Sequence, residues 1–82
     1  MNKYLVTIHV PILNRKFDCL IPNSKRIVDI IYYASKIINS LYDGEFEIKR
    51  YYLVNRDNGY IYDMLSVINE TDIKNGVELI LI

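Results

Sequence analysis

One histidine, one cysteine and eight tyrosines are the residues from which this 82-residue chain would have to build any chemistry. A metal centre takes three or four His, Cys or carboxylate ligands at close spacing. His9 has no second histidine to join, and neither a cysteine nor clustered carboxylates stand beside it. Acid–base or nucleophilic work needs a second group within hydrogen-bond reach, and no spacing signals one. His9 therefore reads as an exposed strand residue, and no catalytic, metal or cofactor site is expected. Cys19 alternates with Phe17 and Ile21, so it reads as a small buried hydrophobe. A reactive thiolate would need exposure and a nearby positive charge. One thiol cannot close an intrachain disulfide, which fits a reducing cytoplasm.

The tyrosines point to binding. Tyrosine joins apolar area to a polar tip and is enriched at interfaces. Tyr32 and Tyr33, Tyr51 and Tyr52, and Tyr60 and Tyr62 come in close pairs. Part of this set must complete the core of so small a domain. Lys49-Arg50-Tyr51-Tyr52 allows bases to stack on aromatics beside cations, which makes a nucleic-acid-binding module the alternative reading. Ten basic residues balance ten acidic ones. Without a global positive field, no nucleic-acid partner is expected. Asn58-Gly59 and Asn75-Gly76 are turns; a phosphate loop needs more glycines and a following helix.

The elements that position these residues follow from periodicity. Tyr4, Val6, Ile8 and Val10 alternate with Leu5, Thr7 and His9, the period of a half-buried strand ending at Pro11. Leu13-Asn14-Arg15 is a hairpin tip, and Lys16 to Ile21 returns as a second strand with Phe17, Cys19 and Ile21 on one face. Asn23 or Ser24 is placed to N-cap a helix. That helix spans about 25–42, carries Ile27, Ile30, Ile31, Ala34, Ile37, Ile38 and Leu41 at helical spacing, and stops at Asp43-Gly44. Glu45 to Lys49 has little pattern. A third strand follows over 50–55, then an Asn58-Gly59 hairpin, a pair in which both residues tolerate positive φ. Tyr60-Ile61-Tyr62 returns as a fourth strand. Glu70 to Ile73 forms one helical turn, Asn75-Gly76 a second tight turn, and 77–82 the last strand. The order β-β-α-β-β-β makes an α+β fold, one helix packed across one face of a mixed sheet. With no linker or repeat, residues 1–82 read as a single domain. The apolar N-terminus is broken by Thr7 and His9 and is a poor signal peptide. No apolar run approaches the ~20 residues that span a bilayer. A soluble chain without membrane insertion is expected.

These elements resemble ubiquitin and its β-grasp fold. They are also similar to the small YukD/EsaB-like proteins of bacterial type VII secretion loci. The likeness rests on Val10-Pro11, on Phe17-Asp18-Cys19-Leu20-Ile21-Pro22, on the helix opening Arg26-Ile27-Val28-Asp29-Ile30-Ile31, and on Asp72 to Leu81 with its glycine turn. The resemblance implies a ubiquitin-like adaptor, not an enzyme, that binds a secretion-apparatus or regulatory protein. Conjugation and sulfur transfer require a C-terminal Gly-Gly; Leu79-Ile80-Leu81-Ile82 stands where it would be.

A sheet order of second, first, fifth, third, fourth strand puts Val6, Ile8, Phe17, Cys19, Leu53, Leu79 and Leu81 under the helix. The opposite face then carries Leu5, Thr7, His9, Tyr52, Val54, Ile80 and the terminal Ile82. In ubiquitin-like domains this face is the usual partner surface. A contiguous apolar patch is expected there, formed by Leu5, Tyr52, Val54 and Ile80 with His9 at its edge. The same patch would serve a homodimer through Leu5, Ile80 and Ile82.

Overall fold

The computed structural model describes residues 2–41 and 51–82. Strand β1 (Lys3–Val10) turns through a 3-10 segment at Pro11–Leu13 into β2 (Arg15–Pro22). Helix α1 spans Ile27–Leu41. Strand β3 covers Leu53–Asn55, a 3-10 turn Ile68–Glu70, and β4 Glu78–Leu81. The sheet order is β2-β1-β4-β3. β1 and β2 are antiparallel, β1 and β4 parallel, and β3 and β4 antiparallel. This is the ubiquitin-like β-grasp: a four-stranded mixed sheet with one helix across one face.

Strand parity fixes the core. Val6 and Ile8 of β1, Leu53 of β3 and Leu79 and Leu81 of β4 point to one face, where Ile27, Ile30, Ile31 and Ile38 of the helix meet them. Phe17, Cys19 and Ala34 are partly buried against that cluster. Ile37 and Leu41, which share the apolar periodicity, are exposed; a stripe that wide exceeds what the small sheet can cover.

Several expectations change. The segment at Tyr60-Ile61-Tyr62 forms a single bridge, Val54 to Ile61, and not a fourth strand. In the preceding turn only Gly59 has positive φ, 74°. The loop is held by side chains instead: the Asn55 and Asn58 amide oxygens accept the N–H groups of Asp57 and Tyr60, each at 2.9 Å. The helix begins at Ile27, and its cap is not the Asn23 or Ser24 side chain. The first-turn N–H groups of Ile27 and Val28 donate to the carbonyls of Ser66 and Met64, both at 2.9 Å. Asp29 Oδ2 accepts the Arg26 N–H at 3.0 Å. A distant loop thus satisfies donors that a local side chain would otherwise cap. The helical turn read at 70–73 lies at Ile68–Glu70. The helix stop at Asp43-Gly44 and the Lys49-Arg50 pair lie outside the described residues.

Candidate partner-binding face

The register of β1, β4 and β3 orders the face away from the helix into rows across the strands. Leu5 sits opposite Leu20. The next row is Asp18, Thr7 and Glu78, with Arg56 at its end. Lys16, His9, Ile80 and Val54 follow. Tyr52 and Ile82 form the last row: each backbone N–H donates to the other's carbonyl, at 2.5 and 3.0 Å, extending the ladder past the ends of β3 and β4.

All six sequence-proposed residues therefore point away from the helix, but they do not form one apolar patch. The second row is polar and bonded. Thr7 Oγ1 donates to Asp18 Oδ1 at 2.7 Å. His9 Nε2 lies 2.9 Å from Glu78 Oε1, and Arg56 Nη1 lies 3.4 Å from Glu78 Oε2. The His9 hydrogen bond, assisted by the Arg56 charge, holds the Glu78 carboxyl below its ordinary pKa. This row separates Leu5 and Leu20 from the second apolar cluster. That cluster comprises Tyr52 (49 % exposed), Ile61 (58 %) and Ile82 (54 %), with Ile80 half-buried between them and Val54 only 6 % exposed. Val54 stands outside the core cluster. It is the buried floor of the patch, and Tyr52, Ile80 and Ile82 are its accessible apolar side chains. Sequence reasoning missed Ile61, because its position beside Val54 depends on the bridge and not on any local pattern.

A shallow depression of ≈ 400 Å³ adjoins this cluster, lined by His9, Pro11, Asn14, Arg15, Lys16, Arg56 and Ile80. Three cations, Arg15, Lys16 and Arg56, stand there around the apolar Ile80.

Cys19 lies on the opposite, helix-facing side, half-buried. Burial, reinforced by the adjacent Asp18 charge, raises its thiol pKa, the reverse of what a nucleophilic thiolate needs. Among the described residues no cluster of three or more His, Cys, Asp or Glu could hold a metal ion. Nor does any described helix have the length and apolarity to cross a membrane.

No protein-family model matches the chain, and no curated protein matches it in sequence. Solved structures do match. The ubiquitin-like domain of an Arabidopsis thaliana protein superposes with a TM-score of 0.75 at 19% identity, covering 100% of this chain and 78% of that one. The ubiquitin-like domain of the Mycobacterium tuberculosis type VII secretion protein EccD1 gives 0.71 at 15% identity, covering 100% and 99%. That of EccD5 from Mycobacterium xenopi gives 0.74 at 15%, covering 100% and 97%. A chain of the ESX-5 inner membrane complex gives 0.78 at 16%; this chain spans 21% of its length. The likeness establishes the ubiquitin-like fold, and its bearers include domains of type VII secretion components.

Proposed function

We propose that this chain is a ubiquitin-like adaptor of the YukD/EsaB-like kind, acting on the cytoplasmic side of a type VII-like secretion system. It docks onto a protein of the apparatus or its regulation. The observation that carries this reading is the apolar cluster Tyr52, Ile61, Ile80 and Ile82 on a sheet face that folding leaves uncovered. Side chains of this type exposed together beside a polar row mark a docking surface. The likeness of fold to the EccD ubiquitin-like domains supports placing it in that pathway. The binding role also agrees with the chemistry of the face. His9 is tied to Glu78, and Cys19, with its raised pKa, faces the other side of the sheet.

A photo-crosslinking amino acid in place of Tyr52, in cells carrying the secretion system, tests the proposal. Capture of a secretion component from position 52, and not from Tyr32 on the helix, is expected. Equal capture from both positions, or from position 32 alone, contradicts it.

A further inference from the structure

The two edges of the sheet differ. β3 is sheltered by the Val54–Ile61 bridge and by the bonds Asn55 N–H to Tyr60 O and Tyr62 N–H to Leu53 O, at 2.8 and 3.0 Å. β2 is open. Odd-numbered β1 residues turn their main chain toward β4: Thr7 donates to Val77 O at 3.1 Å, and Leu5 O accepts from Gly76 at 2.8 Å. Even-numbered β1 residues therefore bond to β2, and the register pairs them with the odd-numbered residues of that strand. The N–H and C=O groups of Lys16, Asp18 and Leu20 are left pointing out of the edge, where all three residues are exposed. Pro22 points the same way without an N–H. Unpaired edge groups of this kind template another strand. Beside the edge runs an apolar trough of ≈ 410 Å³ between β2 and α1, lined by Phe17, Cys19, Tyr33, Ala34, Ile37 and other residues.

We infer that a second copy of this chain occupies that edge, β2 against β2 antiparallel about a two-fold axis at Phe17. Charge selects the register. Only even-numbered residues can bond across the edge, so few alignments exist. An axis at Lys16 sets Lys16 against Lys16, and an axis at Asp18 sets Asp18 against Asp18; like charges directly opposite are destabilising. An axis at Cys19 places Lys16 against Pro22, which has no N–H to give. The axis at Phe17 puts each Lys16 opposite the other copy's Asp18. Four main-chain hydrogen bonds and two opposite-charge pairs form together. Asp18 keeps lone pairs for the lysine while accepting from Thr7. On the helix side Phe17 meets its symmetry mate, and the trough beside it is closed. The contact is isologous, as a closed dimer requires, and leaves the outer-face cluster of Tyr52 and Ile80 free.

Sedimentation equilibrium of the full chain up to about 1 mM, where weak self-association is read, tests the inference. The parent chain is expected to dimerise with concentration. Lys16→Asp and Asp18→Lys each create two like-charge pairs and should weaken the dimer by about tenfold or more. An equimolar mixture of the two variants restores both opposite-charge pairs and should dimerise, as should the double variant Lys16→Asp/Asp18→Lys alone. Circular dichroism checks that each variant is folded. A parent that stays monomeric throughout overturns the inference. So does a dimer indifferent to both single variants, or one that mixing fails to restore.

Discussion

The Asn75 side chain accepts the backbone N–H of Leu5 at 2.8 Å, joining residues 70 apart in sequence. The next residue, Gly76, donates its N–H to the carbonyl of the same Leu5, also at 2.8 Å, with φ at +87°. The turn entering β4 is thereby clamped onto the start of β1, and it aligns the parallel pair that places His9 beside Ile80. Nothing lies within 4 Å of where a Gly76 Cβ would stand, so Gly76→Ala tests backbone conformation alone. It is expected to cost about 1–2 kcal/mol, the penalty of a left-handed backbone for an L-residue. Asn75→Ala, at an exposed site where water can replace the amide, is expected to cost about 0.5–1.5 kcal/mol. Urea unfolding of both variants reads the difference.

Tyr62 is buried, two residues before the loop that caps the helix. Its hydroxyl donates to Asp72 Oδ1 at 2.5 Å and accepts from Asn55 Nδ2 at 3.1 Å. Burial first, and then the Asp72 hydrogen bond, pushes its pKa far above the ordinary value of 10.0. A raised folded pKa means that the contribution is complete below the unfolded value and is lost as pH climbs through the folded one. Thermal stability should therefore fall above about pH 10, and Tyr62→Phe should flatten that alkaline limb. The variant leaves two polar groups short of a partner and should lose about 1–3 kcal/mol at neutral pH. An unchanged alkaline limb in Tyr62→Phe would assign the effect to another group.

Glu78 titrates with the opposite sign. Its folded pKa is depressed, chiefly by the His9 hydrogen bond. The contribution is present above the ordinary carboxylate value of 4.5 and disappears as pH falls through the depressed one. Glu78→Gln should remove this part of the acid dependence of the melting temperature and leave the alkaline part intact.

Cys19 is the residue whose environment most differs from a reactive thiol. Labelling by a disulfide reagent at neutral pH should be slow compared with a free cysteine, because the thiolate is disfavoured. Cys19→Ser should cost about 1–2 kcal/mol from lost apolar contact and a hydroxyl short of partners. Rapid labelling together with an unaltered urea midpoint would place the thiol in solvent.

Where the pattern was local, the sequence disclosed it. Alternation in β1 and β2 and the isoleucine periodicity of α1 specify the hairpin, the helix and the buried face, because a one-residue slip would exchange core and solvent. Element ends set by distant partners were not legible. Ser66 and Met64 cap a helix whose own sequence offers Asn23 and Ser24, and Ile61 joins β3 through one bridge. The polar row escaped notice for a related reason. Thr7 and Asp18 are visible as polar residues, but only the parallel register brings Glu78 alongside Thr7 and so divides the face.

The central claim is that the Tyr52–Ile80 face binds a protein of the secretion apparatus. Its most direct measurement is the affinity of the Ile80→Asp variant for the component cross-linked from position 52, relative to the parent at equal folded concentration. The account predicts an unchanged melting transition and a loss of about thirtyfold, the ~2 kcal/mol of an anchor residue. A folded Ile80→Asp chain that binds as tightly as the parent would contradict it.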